Sequence, residues 1–292
     1  MNWKELAKFD AHVHVLPVER VTASQAEGTG TGFGAALNET MHVENESETP
    51  DAPTIYTFLR EMDANAIEKA LLVPTNSPKM YFDMRGTNEF LAECVRKAPD
   101  RLFAFSDLQI SDSVDLYETP AELEYAIKEL GLCGLKIHPG NSNIPIDDWR
   151  YIPILRKAAE LRIPVMIHSY PWGPGFYDMS APERINHMMT VFPDISFITA
   201  HMGGMRYLDA IRCVGQVDIS GTLFDLVDLY GIEGANRILR KFGVERLIFA
   251  SDYPFFSYEK YFSVLDQMDF TDDEKERIAY KNISDILSVE RK

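Results

Sequence analysis

The sequence predicts an α/β chain folded as a (β/α)8 TIM barrel, and three observations carry that prediction. Eight short apolar runs alternate with amphipathic helical stretches, the pattern of parallel strands joined by right-handed crossovers. The runs end at His14, Thr75, Asp107, His138, His168, His201, Ser220 and Asp252, and five of the seven intervals are 30 to 33 residues, about one βα unit. Five of the seven histidines lie at or just before those ends, where a barrel gathers its functional side chains.

Each element has a local reason. Strand 1 spans roughly Lys8 to Val15. Residues 18–50, rich in Gly, Thr, Glu and Asn, show no clear period and include Gly28-Thr29-Gly30-Thr31-Gly32 and His42. A structureless stretch of this length inside a domain reads as a lid-like insertion over the site, with His42 a solvated loop residue. Thr54 to Asn65 is an amphipathic helix, and Lys69 to Pro74 a buried strand. Asn88 to Ala98 is helical and Leu102 to Ser106 a strand. Thr119-Pro120 opens a helix as N-cap and first-turn proline. The strands Gly134–His138, Ile163–His168 and Ile195–His201 follow, separated by helices at Ile152–Leu161 and Pro182–Phe192. The 19-residue step from His201 to Ser220 leaves room only for a short helix. Gln216–Ser220 and Arg246–Asp252 are the last strands, and helices fill Tyr258 to Val289. No linker divides the chain, so residues 1–292 are expected to form a single barrel domain.

Composition bounds the partners. The 292 residues are 46% hydrophobic and 25% charged, with a net charge of −16. Such acidity argues against nucleic acid or an anionic membrane surface, both of which need a basic face. It leaves room for a small carboxylated substrate held by local arginines and a metal. Cys94, Cys133 and Cys213 are odd in number and far apart, which fits a reduced, cytoplasmic protein. There is no secretory apolar region at the N-terminus and no run of membrane-spanning length.

The chemistry concentrates in six residues, His12, His14, His138, His168, His201 and Asp252. His12 and His14 alternate along one strand and so share a face, where two neutral imidazoles can chelate one divalent ion. Asp10 lies one step back in the same alternation and is expected to brace a ligand histidine from behind. His168 ends an apolar strand and Asp252 is a carboxylate at a buried strand end; both read as metal ligands. His201 precedes Met202-Gly203-Gly204, so a helix is expected to start beside it, and it is expected to act in acid–base catalysis. His138 stands between a supporting and a structural role. Lys136 shares the inward face with His138 and reads as a plain lysine, the alternative being a carboxylated bridge between two metals. His187 is a helix-surface residue. Arg85 and Arg206 follow strands and could grip a carboxylate, against an ordinary surface role for each. Trp172, Phe176 and Tyr177 could wall the pocket.

These stretches also carry a resemblance. Asp10-Ala11-His12-Val13-His14, Gly134-Leu135-Lys136-Ile137-His138-Pro139, Pro164 to His168, Phe192-Pro193-Asp194 through Ala200-His201-Met202-Gly203-Gly204, and Ala250-Ser251-Asp252-Tyr253-Pro254 appear in order across nearly the whole chain. The chain resembles the amidohydrolase superfamily, in the branch that includes aminocarboxymuconate-semialdehyde decarboxylase. The resemblance implies a distorted barrel and one divalent metal ion, zinc first and manganese second. It implies ligands at His12, His14, His168 and Asp252, with His201 as the catalytic acid–base. By resemblance alone, exposed helices would carry homodimer contacts. The glycine-rich insertion after strand 1 is the main departure.

Such a ligand set leaves a position open for water, whose pKa the metal lowers toward ~7. Asp252 could share the water's proton while ligating. The first expectation is hydrolysis of a C–N or C–O bond, an amide or lactone. The alternative is non-oxidative decarboxylation of an unsaturated or aromatic acid at the same site. The third reading is an inactive barrel that only binds.

Overall fold

The computed structural model describes residues 1–18, 53–77, 80–110, 117–170 and 178–288. The 18–50 insertion with His42 therefore lies almost wholly outside the described residues, and so do Trp172, Phe176 and Tyr177. The strands are β1 (Lys8–Val13), β2 (Ile67–Leu72), β3 (Leu102–Ala104), β4 (Leu135–Ile137), β5 (Val165–Ile167), β6 (Phe197–Thr199), β7 (Gln216–Asp218) and β8 (Leu247–Ile248). The principal helices are α1 (Ile55–Ala64), α2 (Met84–Lys97), α3 (Glu118–Lys128), α4 (Ile152–Leu161), α5 (Pro182–Val191), α6 (Thr222–Phe242) and α7 (Tyr258–Leu265).

All strand pairs are parallel and run in chain order, β1-β2-β3 in one ladder and β4-β5-β6-β7-β8 in the other. Two seams close the cylinder. Ser106 bridges to Leu135, and Ser106 N–H donates to Gly134 O at 2.7 Å. Val13 bridges to Tyr253, and His14 N–H donates to Tyr253 O at 2.8 Å. Phe9, Ala11, Leu71, Met166, Ile198 and Ile248 come from strands all around the cylinder and meet in one buried cluster. That cluster fills the axis below the strand ends, so the functional side chains rest on a packed floor.

Element edges shift by a residue or two, as hydrogen-bonded boundaries do. α3 begins at Glu118, with Tyr117 at its cap and no side-chain cap bond, so Thr119 is not the N-cap the sequence suggested. The short helix after β6 is Tyr207–Ala210, four residues long.

No helix begins at His201. The chain there turns through four consecutive positive φ angles: His201 (55°), Met202 (50°), Gly203 (80°) and Gly204 (55°). The two glycines are required by space as well as by φ. A Cβ on Gly203 would lie 2.8 Å from Pro182 Cγ, and one on Gly204 would lie 2.9 Å from Tyr170 Cα. Asp252, after β8, also lies in the left-handed region, at φ 55°. Such conformations cost about 1–3 kcal/mol each and persist where the surroundings over-determine them, which is common at functional sites.

Candidate metal centre

Strand β1 delivers His12 and His14. The register against β2 shifts between Asp10 and Val13, and a bulge of this kind re-aims side chains. The three residues consequently do not share one face as strict alternation predicts. Asp10 instead ties β1 to β8. Its Oδ1 accepts from Ser251 N–H at 3.0 Å, and its Oδ2 accepts from Ser251 Oγ at 2.5 Å and Tyr258 OH at 2.6 Å. It touches only the backbone of His12, accepting its N–H at 3.2 Å.

The brace on His12 is a residue the sequence reading missed. Asp218, at the end of β7, accepts from His12 Nδ1 through Oδ2 at 2.9 Å. Its Oδ1 accepts from His201 N–H at 3.0 Å, Ser220 N–H at 3.1 Å and Ser220 Oγ at 2.5 Å. The available signal was a lone carboxylate inside the apolar run Gln216–Ser220, which must find donors when buried. Burial works against ionisation of Asp218, but the neighbouring His12 and its hydrogen bond hold the carboxyl well below the usual range.

These contacts fix which imidazole nitrogens carry protons. A carboxylate and a carbonyl only accept. His12 Nδ1 therefore donates to Asp218, and His14 Nδ1 donates to Val73 O at 2.7 Å. Burial and the charge of Lys136 push the His12 pKa down to about 3, against the pull of Asp218 and Asp252, so the ring is neutral at pH 7. The Nε2 electron pair of His12 faces inward. Asp252 Oδ1 lies 3.6 Å from His12 Nε2 and 3.2 Å from His14 Nε2. Nitrogen and carboxylate donor atoms packed this closely repel unless a cation lies among them. His12, His14 and Asp252 offer three such atoms within 4.8 Å of one another.

Lys136 marks the same point. Its Nζ donates to His12 Nε2 at 2.9 Å, so an ammonium takes the electron pair that a metal would take. The lysine is wholly buried, and burial lowers its pKa to about 8 despite Asp218 and Asp252 nearby. The donor chemistry thus fits a divalent cation, with two or three imidazoles and one carboxylate.

His201 is held from every side. Its N–H goes to Asp218, its carbonyl accepts from Thr222 Oγ1 at 2.6 Å, and its Nδ1 lies 2.9 Å from Ser220 Oγ. The Ser220 hydroxyl proton is committed to Asp218, so His201 Nδ1–H is the donor to Oγ. His201 Nε2, 3.1 Å from His168 Nδ1, then accepts from His168 Nδ1–H. That leaves the His168 Nε2 electron pair unused by donors among the described residues, the state a metal ligand requires. His168 lies outside the three-atom group of His12, His14 and Asp252. Its ring stacks on His138 at 3.8 Å between centroids and 12° between planes.

The structure also places four other residues singled out in the sequence. Arg85 pairs with Glu122 at 2.6 Å and lies 4.0 Å over the Tyr125 ring. Arg206 pairs with Asp178 at 2.7 Å, with Asp209 at 3.1 Å and closely with Glu183. Both arginines are consumed by acidic neighbours rather than presented to a substrate carboxylate. His138 caps the short helix Pro139–Ser142, and His187 is exposed on α5, as its sequence position suggested.

The chain is similar to several known proteins. Decarboxylase orsB of Emericella nidulans is 26% identical over 257 residues, 71% of this chain and 76% of that protein. The crystal structure of 5-carboxyvanillate decarboxylase LigW from Sphingomonas paucimobilis superposes with TM-score 0.72 at 16% identity, covering 98% of this chain and 100% of that chain. The crystal structure of dihydroxybenzoic acid decarboxylase from Polaromonas sp. JS666, with bound manganese and the inhibitor 2-nitroresorcinol, superposes with TM-score 0.69 at 18% identity. It covers 100% of this chain and 98% of that one. At such identities the two superpositions show the fold. A family model described as Amidohydrolase matches residues 9–288, and the chain belongs to the amidohydrolase family.

Proposed function

We propose that the protein is a metal-dependent, non-oxidative decarboxylase of a small aromatic or unsaturated carboxylic acid. The observation that carries this reading is the convergence of His12, His14 and Asp252 beside an over-determined His201, in a chain whose relative over most of its length is a decarboxylase. The decarboxylase reading takes precedence over the hydrolysis expected first from sequence, because that relative supports it.

His12, His14, His168 and Asp252 would hold one divalent ion, with manganese and zinc both matching the donor types. When bound, the ion supplies positive charge that gathers the substrate's anionic oxygens and orients them. The protein's own residues perform the proton transfer. With its contact to His168 released, His201 takes a proton from solvent at Nε2 and passes it to the ring carbon that bears the carboxylate. The C–C bond then breaks, its electron pair returns to the ring, and CO2 leaves. Atoms and charge balance: a carboxylate and one proton become CO2 and a C–H bond. The Ser220–Asp218 pair behind Nδ1 fixes the orientation of the His201 ring, as a buried carboxylate does for a catalytic histidine.

The test is CO2 release from carboxylated aromatics, 2,6-dihydroxybenzoate and 5-carboxyvanillate among them, by metal-loaded protein. Reaction in D2O should place one deuterium on the carbon that lost CO2. His201→Asn should abolish release while retaining metal. Lactone or amide hydrolysis without CO2 release from any acid would overturn the proposal in favour of the hydrolase reading.

A further inference from the structure

His138 differs from the other histidines at the barrel mouth in the direction of its hydrogen bond. Its Nδ1 accepts from the Asn141 backbone N–H at 3.1 Å. A backbone N–H can only donate, so Nδ1 is unprotonated and the proton of the neutral ring is on Nε2. His138 is 7% exposed, and its Nε2 is buried with no hydrogen-bond partner among the described residues. The ring is clamped. One face stacks on His168 at 3.8 Å, and the Nδ1 edge lies against Gly140, where a Cβ would approach Cε1 to 3.4 Å.

A buried N–H with no acceptor carries the full desolvation cost of that group, and native proteins keep such groups rarely. A neutral, immobile donor beside a cation site has an evident use. It can accept no metal through Nε2, because that nitrogen holds the proton. It can complete a hydrogen bond to an oxygen that arrives with the substrate.

We infer that His138 is a specificity-determining residue whose Nε2–H donates to an acceptor oxygen of the bound aromatic acid, either its carboxylate or a ring hydroxyl oxygen. The inference rests on the decarboxylase reading and deepens it, since the donor discriminates oxygenated acids from bare aromatics. A site built around one donor rejects ligands that lack the matching acceptor, because the donor is then left unpaired.

The experiment is calorimetric titration of the manganese-loaded full chain with three probes: 2,6-dihydroxybenzoate, benzoate and resorcinol. Two variants separate the donor from the helix cap. Asn in place of His138 keeps an acceptor near the Nδ1 position for the Asn141 N–H but has nothing at Nε2. Gln carries its amide nitrogen near the Nε2 position. Affinity for 2,6-dihydroxybenzoate should fall about tenfold or more in His138→Asn, and recover most of that in His138→Gln. Metal content per chain should be unchanged in both. Loss shared with benzoate but not resorcinol assigns the carboxylate, and loss shared with resorcinol but not benzoate assigns the ring oxygen; either supports the inference. Binding by the wild type that neither variant alters overturns the inference and leaves the decarboxylase reading standing. A fall in metal content in His138→Asn overturns it by making His138 a ligand. Failure of the wild type to bind all three probes overturns the decarboxylase reading and this inference with it.

Discussion

Replacing Asp218 by Asn tests the tautomer logic of the site without changing the size of a side chain. Three donors converge on Oδ1: His201 N–H, Ser220 N–H and the Ser220 hydroxyl. They fix the orientation of the new amide, with its oxygen toward those donors. The amide nitrogen then faces His12 Nδ1 across the present 2.9 Å contact. Two N–H groups cannot point at each other, so His12 must accept at Nδ1 and carry its proton on Nε2. The electron pair that faces His14 and Asp252 disappears. Orienting partners of this kind are worth about 10–100-fold in metal affinity, or about 1.4–2.8 kcal/mol. The upper end matches the ~1.5–3 kcal/mol of a hydrogen bond to a charged group. The assay is competition of the purified protein with a chelator for Mn²⁺ or Zn²⁺, beside a circular-dichroism check that the variant is folded. A folded Asp218→Asn protein that binds metal within threefold of wild type would refute the reasoning.

Three further outcomes follow from single contacts. Gly204→Ala forces a Cβ to 2.9 Å from Tyr170 Cα at φ 55° and ψ −135°, and it should lower the melting temperature by roughly 3–8 °C; a change under one degree would mean that the left-handed turn is not held as described. Asp107 is buried between Asn76 and Gln109, and burial raises its pKa to about 6. A raised carboxyl pKa means that the folded state binds more protons than the unfolded one between pH ~3.8 and ~6, so this group's contribution falls as pH rises through that window, by about 3 kcal/mol at most. Urea titrations at pH 4.5 and 7 should show that loss in wild type and a smaller one in Asp107→Asn; an identical pH dependence would remove Asp107 as its source. Burial pushes the Cys94 and Cys133 thiols up to about 12 and Cys213 to about 11, so iodoacetamide at pH 8 should modify none of the three in the native protein and all of them in urea. Rapid native labelling would contradict this burial.

The periodic part of the fold was legible because strand spacing and apolar runs are one-dimensional signals. Thr54–Asn65 and Ile152–Leu161 emerge as α1 and α4 within a residue at each end. What alternation could not reveal was the register shift inside β1. One slipped residue reverses the facing of everything before it, and this separates Asp10 from the two histidines it was expected to support. Asp218 went unread for the complementary reason. Its role comes from a contact across 206 residues of chain, and no local period encodes that. Likewise Met202-Gly203-Gly204 resembles the start of a helix in sequence, while the close approach of Tyr170 and Pro182 selects a left-handed turn. Arg85 and Arg206 look available in sequence because their acidic partners are assembled only in three dimensions.

The five histidines of the barrel mouth are chemically one residue type, yet the fold gives them different hydrogen-bonding states by choosing what meets Nδ1. A carboxylate at His12 and a carbonyl at His14 take the Nδ1 proton and turn the Nε2 electron pairs inward. A backbone N–H at His138 does the reverse and turns a proton outward from Nε2. Ser220, anchored on Asp218, orients His201 so that Nε2 accepts, and the neighbouring His168 must then donate from Nδ1. Asp218 thereby sets the state of His12 directly and of His201 and His168 through a chain of hydrogen bonds. A change at that carboxylate should disturb metal binding and proton transfer together. A change at His138 should disturb substrate binding alone, and comparing the two variants separates the roles that the sequence presents as one cluster.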